Sequence, residues 1–117
     1  MKRYLPLLMA IVSGAAHAGY SATLTTPSYL VEIQVRCEEG AVTCDDVSYQ
    51  GINRKTGTRI KLRGKTLHSL CADGVTPCRF IGYAFNNKGV TYQVDDDGHL
   101  LVMQGKKVLV DEQGEWD

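Results

Sequence analysis

The chain has 117 residues, 44% of them hydrophobic, with 13 Lys and Arg against 13 Asp and Glu and four cysteines. That length allows one small domain, and the neutral balance excludes a globally basic nucleic-acid binder. A chain of this size buries only about 60–70% of its unfolded surface, so covalent cross-links matter to its stability.

Lys2 and Arg3 precede a short apolar run from Leu5 to Val12, and Ala16-His17-Ala18 has the A-x-A pattern of a cleavage site. These are the marks of a cleaved signal peptide over residues 1–18, with an apolar stretch shorter than the about 20 residues of a bilayer span. The first cysteine is Cys37, so none stands at the cut to carry a lipid. A soluble periplasmic or secreted product, not membrane-anchored, is predicted. Loss of Lys2 and Arg3 leaves 11 basic against 13 acidic residues, a net charge of −2.

Residues 19–28 (GYSATLTTPS) are small and polar and read as a flexible lead-in, which places the folded domain at 29–117. Val31, Ile33, Val35 and Cys37 then alternate with Glu32, Gln34 and Arg36, the period-two pattern of a half-buried strand. A second strand is predicted over Val47 to Asn53, followed by a turn at Lys55-Thr56-Gly57. A third runs from Thr58 to Arg63 with Ile60 and Leu62 inward, and Gly64-Lys65 is read as a turn into Thr66 to Leu70. Arg79 to Phe85 is the most apolar run and is predicted to be a central strand. Asn86-Asn87-Lys88-Gly89 is a hairpin turn, because Asn and Gly tolerate the positive φ of tight turns. Val90, Tyr92 and Val94 alternate inward, Asp95 to Gly98 turns, and Leu100 to Met103 and Lys107 to Val110 form the last two strands. Turn signals recur about every 8–12 residues with no sustained 3.6 period, so the expectation is all-β. The predicted domain is a single small antiparallel sandwich or barrel of about eight strands. Tyr49, Tyr83, Phe85 and Tyr92 fall at inward positions, and Trp116 is read as a clip for the final strand.

The cysteines recur as a unit. Residues 37–44 read CEEGAVTC and residues 71–78 read CADGVTPC, each with a tyrosine five places on, at Tyr49 and Tyr83. In an exported chain four cysteines form two disulfides. Of the three possible pairings, the duplicated spacing favours Cys37–Cys44 and Cys71–Cys78, each unit closing on itself. Loops of this length contribute about 2.5 kcal/mol each in the chain-entropy model. A zinc site fails on ligand spacing, and redox chemistry fails for want of a C-x-x-C. The recurrence of cysteine loop, strand, turn and strand reads as two pseudo-repeated β units of roughly 34 residues.

Catalysis has little to stand on. Apart from His17 only His68 and His99 remain, and His68 and Ser69, adjacent in a strand, point to opposite faces. The acidic pairs and the Asp95-Asp96-Asp97 run fall in turn-like stretches, where carboxylates are solvated. As a calcium loop the run fails, because Gln93 and Gln104 occupy the first and twelfth positions that need acids. No enzyme activity, metal or cofactor is expected.

A basic row stands out. Arg59, Lys61, Arg63 and Lys65 share one parity in a stretch without acids between Asp46 and Asp73, so an unbroken strand lines them along one face. They are the candidate binding residues, with the acidic C-terminal strands as a possible intramolecular partner. In size, compartment and architecture the chain is similar to periplasmic lysozyme inhibitors and to immunity proteins against cell-wall-degrading toxins. That likeness implies that Arg59, Lys61 and Arg63 meet an acidic cleft and that the cysteine loops form the rims. The sequence therefore predicts a protein-binding module, an inhibitor or immunity-type protein whose partner is another envelope or secreted protein. The alternative is a binder of anionic envelope glycan or lipid through the basic strand face.

Overall fold

A computed structural model describes residues 19–38 and 41–117; the predicted signal peptide at 1–18 lies outside the described residues. The strands in chain order are β1 (Tyr20–Thr25), β2 (Tyr29–Val35), β3 (Val47–Asn53), β4 (Arg59–Leu70), β5 (Pro77–Asn87), β6 (Val90–Asp95), β7 (His99–Gln104), β8 (Lys107–Gln113) and β9 (Glu115–Trp116). Each strand pairs antiparallel with the next from β1 to β8, and β9 pairs with β1 through Leu24–Trp116 and Thr25–Glu115. Because β9 only continues β8 past Gly114, the sheet returns to its own first strand. The all-β fold is thus a nearly closed up-and-down barrel of eight staves, the last one kinked, and not a sandwich.

Period-two patterning builds the interior. Along β2, Val31, Ile33 and Val35 are buried while Glu32 and Gln34 are exposed. Val47 and Tyr49 of β3, Leu62 of β4, Tyr83 and Phe85 of β5, Val94 of β6 and Leu100 and Val102 of β7 complete one contiguous core. The tilted Tyr49–Phe85 and Tyr49–Tyr92 ring pairs, 5.1 and 5.4 Å apart, join β3 to β5 and β6 across it. Tyr92, predicted to lie inward, is only half-buried.

Two expectations are corrected. Residues 20–25, read as part of a lead-in, form β1 and pair along their whole length with β2. The stretch is polar because only Leu24 is fully buried in it, and its tie to the core is a hydroxyl contact, Tyr20 Oη to Tyr83 Oη at 2.7 Å. Gly64-Lys65, read as a turn, is instead the interior of one 12-residue strand. Gly64 is where β4 leaves its pairing with β3 and takes up pairing with β5. A Cβ there would stand 2.0 Å from the Ala84 carbonyl oxygen, so only glycine allows the corner.

Both disulfides form as paired by the repeat, Cys37–Cys44 between β2 and β3 and Cys71–Cys78 between β4 and β5. In a meander alternate connections share an end, so both cysteine loops lie at the same end of the barrel. The first is tied down: Cys44 is buried, its N–H donates to Thr66 Oγ1 at 2.9 Å, and the Thr66 N–H donates to the Cys44 carbonyl at 2.8 Å. The second is a free-standing hairpin tip. Asp73 caps it by accepting from the Thr76 side chain and from the Thr76 and Val75 N–H groups, bonds that hold its carboxyl down at about 2.

Closure rests on a polar seam. The half-buried Glu112 carboxylate of β8 accepts from Thr26 Oγ1 at 2.8 Å, Ser28 N–H at 3.0 Å and Ser28 Oγ at 2.6 Å. Burial pushes this carboxyl up, but those three bonds and the charge of Lys55 outweigh it and hold it below its ordinary value. Arg54 Nη1 donates to the Thr26 carbonyl at 2.7 Å, tying the β3–β4 connection to the same turn. Gly114 permits the kink, since a Cβ would stand 2.5 Å from the Thr25 carbonyl oxygen. Trp116 then clips the strand: its Nε1 donates to the Asp96 carbonyl at 3.0 Å and its ring meets Tyr83 edge-on.

Candidate functional site

Arg59, Lys61, Arg63 and Lys65 are all exposed on the outer face of β4. The barrel does not keep them as one surface. Lys61 and Arg63 border β3, Arg59 stands at the rim of the barrel end that carries the β3–β4 connection, and Lys65 lies past the Gly64 corner beside Ala84 of β5. Strand twist and the change of partner at Gly64 divide the row, which an untwisted strand would have kept straight.

On the β3 side the row becomes one wall of a trough. Cross-strand register sets Glu32 beside Gln50 and Lys61, and Gln34 beside Ser48 and Arg63. The middle strand offers the shorter side chains, Ser48 and Gln50, while Arg36, Gln34 and Glu32 rise on one side and Lys61 and Arg63 on the other. A cavity of about 370 Å³ results along β3. Asp46, at the exit of the first cysteine loop, closes one end by holding Arg63 Nη2 at 2.7 Å and Arg36 Nη1 at 3.5 Å. Arg36 also donates to Ser48 Oγ at 3.0 Å, bridging the trough floor. Among the described residues Lys61 makes no ion pair, so it is the wall cation left to a partner.

The intramolecular partner predicted for the row is not the one found. The C-terminal acids lie elsewhere: Asp111 pairs with His99, and Glu112 holds the seam. Asp46 takes their place, from a loop adjacent in space. The half-exposed His99 ring is held between Asp111 and, at 3.8 Å, Asp95; the Asp111 hydrogen bond above all raises its pKa, with burial opposing it and the charges of Asp111, Asp95 and Asp97 adding to it. His68 stacks edge-on to Phe80 and its Nε2 meets Thr66 Oγ1 at 2.9 Å. The Thr66 hydroxyl that His68 meets is engaged with the Cys44 backbone, and His99 lies against carboxylates. Asp95 to Asp97 form a turn in which Asp95 accepts from Gln93 and Asp97 from the His99 N–H.

Sequence reasoning found Lys61 and Arg63 but missed the opposite wall, Glu32, Gln34 and Arg36, and the floor, Ser48 and Gln50. Their signal was present, since each has outward parity in a correctly predicted strand. Only the register reveals that they face one another. The cysteine loops supply a further exposed feature, Val42 in the first and Val75 in the second, 67% and 78% exposed. The fold and surface define a class, a small disulfide-stapled up-and-down barrel. No protein-family model, curated protein or solved structure matches the chain. Among the described residues no helix is long and apolar enough to cross a membrane.

Proposed function

We propose that the protein is an exported, non-enzymatic protein-binding module that holds another envelope or secreted protein, as an inhibitor or immunity protein holds a cell-envelope enzyme. In this reading residues 1–18 direct export to the periplasm or the medium and are removed. The observation that carries it is the trough over β3. Its walls are built on paired strands, so ordering them on binding costs little. The first cysteine loop continues directly from the Arg36 and Asp46 end, and its disulfide closes a loop that carries the exposed Val42. Arginine walls with an apolar contact are the chemistry of protein interfaces. Lys61 and Arg63 favour an acidic segment of the partner.

Capture from envelope and culture-medium extracts by the oxidised protein tests this. The wild type retains one stoichiometric partner. Lys61→Glu, which reverses the free wall cation, and Ser48→Tyr, which fills the floor with a strand-compatible side chain, each lose it while their melting temperatures stay put. Capture undiminished in both variants retires the trough.

A second reading rests on the exposure of all four row cations, which suits an anionic glycan or lipid. It is favoured if no protein is retained, while vesicles containing anionic lipid bind at low salt and release as salt shortens the Debye length from about 30 Å to about 8 Å.

A further inference from the structure

Meander topology sorts charge between the two ends of this barrel. The connections 26–28, 54–58, 88–89 and 105–106 share one end, and they and their flanking residues bring Arg54, Lys55, Arg59, Lys88, Lys106 and Lys107 there; the Glu112 carboxylate reaches the same end but is taken up by Thr26 and Ser28. The opposite end carries Asp45, Asp46, Asp73, Asp96 and Asp97. The acidic end is plugged by aromatic contacts of Tyr83 with Phe80 and Trp116. The cationic end is not filled. A cavity of about 430 Å³ opens there between the β3–β4 connection and β8, within the roughly 300–1,000 Å³ of small-ligand sites.

The cavity wall is apolar with a few polar groups. Tyr29, Tyr49 and Tyr92 line it with Leu100 and Val102, and Arg59 stands at its rim. Tyr49, only 2% exposed, lines the cavity. The ring lies over Gly51, where an added Cβ would come 2.9 Å from the Tyr49 hydroxyl, so a glycine makes the room in which the phenol rests. Burial first, then the neighbouring Tyr92 and Tyr29, raises its pKa, which keeps it a neutral donor. Its O–H is a donor on the cavity wall that water or the acceptor atom of a ligand can meet.

We propose that this mouth is a binding site for a small organic anion with a flat aromatic body. The body rests against Tyr29 and Tyr92, an acceptor atom takes the Tyr49 O–H, and the anionic group points outward to Arg59 and the lysines of the rim. The site is separate from the trough over β3 and stands or falls independently of it.

Calorimetric and amide NMR titrations of the oxidised protein test it with two probes of one shape, 2-naphthoate and the neutral 2-naphthylmethanol. The expected result is saturable one-to-one binding of both, with the anion about tenfold tighter and shifts centred on Gly51, Tyr92 and Leu100. Ile60→Trp, which fills the mouth, abolishes both. Arg59→Gln, at an exposed position that leaves the fold intact, weakens naphthoate about fivefold and leaves the alcohol unchanged. Absence of saturable binding, equal affinity for the two probes, or shifts confined to the outer face of β2 to β4 overturns the proposal.

Discussion

Replacing Glu112 by alanine should open the barrel at its seam. Three hydrogen bonds converge on the carboxylate, from Thr26 Oγ1, Ser28 N–H and Ser28 Oγ, at 2.8, 3.0 and 2.6 Å. Bonds to a charged group contribute about 1.5–3 kcal/mol each when shielded, and the carboxylate is only half-buried, so water replaces part of that. Thr26 Oγ1 also retains the Tyr29 N–H as a partner, so its oxygen is not orphaned. The low end for three bonds is about 4.5 kcal/mol, and the part that water replaces brings the expected loss to about 3 kcal/mol, a large share of the roughly 5–15 kcal/mol of a small domain. Glu112→Gln keeps an acceptor without the charge and should lose about half as much. Urea unfolding with the disulfides intact measures the loss. The fluorescence of Trp116, the only tryptophan of the chain, reports the seam separately, because its ring and Nε1 both sit on the closing strand. The pH dependence supplies a second readout. Because the folded pKa of Glu112 is depressed, its contribution is fully present above the ordinary carboxyl value of 4.5 and is lost as pH falls through the folded pKa. The variant should lack that component of acid destabilisation. Unfolding free energy within about 0.5 kcal/mol of wild type, with unshifted Trp116 emission, would refute the seam as a source of stability.

The two disulfides close loops of equal length and are entropically equivalent at about 2.5 kcal/mol each, so any difference comes from burial. Cys37→Ala with Cys44→Ala should cost more, by about 1–2 kcal/mol, than Cys71→Ala with Cys78→Ala, because Cys44 is 5% exposed in the core. Equal losses in calorimetry would contradict the packing of the first loop. Lys88 has φ 53° beside Gly89 at φ 86°, both positive, as a two-residue type I′ turn requires. Lys88→Asn should therefore stabilise by about 0.5 kcal/mol, and a drop in melting temperature would argue against that turn. His99 has its pKa raised chiefly by Asp111, so its contribution is full below the unfolded value of 6.5 and fades as pH rises through the folded pKa. Stability should fall by about 0.5 kcal/mol across that window in the wild type and stay flat in His99→Gln, as followed by thermal melts.

Local pattern carried the strands well. The alternation in Val47 to Asn53 places β3 to the residue, and the recurrence of the cysteine loops gives both disulfide pairs. Where pattern failed, the deciding contact was distant. Tyr20 looks like lead-in because its hydroxyl partner is Tyr83, 63 residues away. Gly64 looks like a turn because glycine serves equally at a turn and at a close backbone approach, and only the Ala84 carbonyl distinguishes them. The candidate site was half legible for the same reason. Parity shows that Lys61, Arg63, Gln34 and Ser48 point outward, but not that β3 lies between two charged walls.

By itself the sequence determined what is encoded in neighbours: the alternation that makes strands, the glycines and asparagines that turn them, and the cysteine spacing that closes two loops. Tertiary structure alone decided that the sheet closes through Glu112 and Trp116, that Asp46 pairs with Arg63, and that the lysines of three connections gather at one mouth. The physical reason is range. A strand's own residues set which way each side chain points over a few ångströms, whereas closure, ion pairing and the sorting of loops depend on which strands become neighbours, and that is settled only when the whole meander has wound into a barrel.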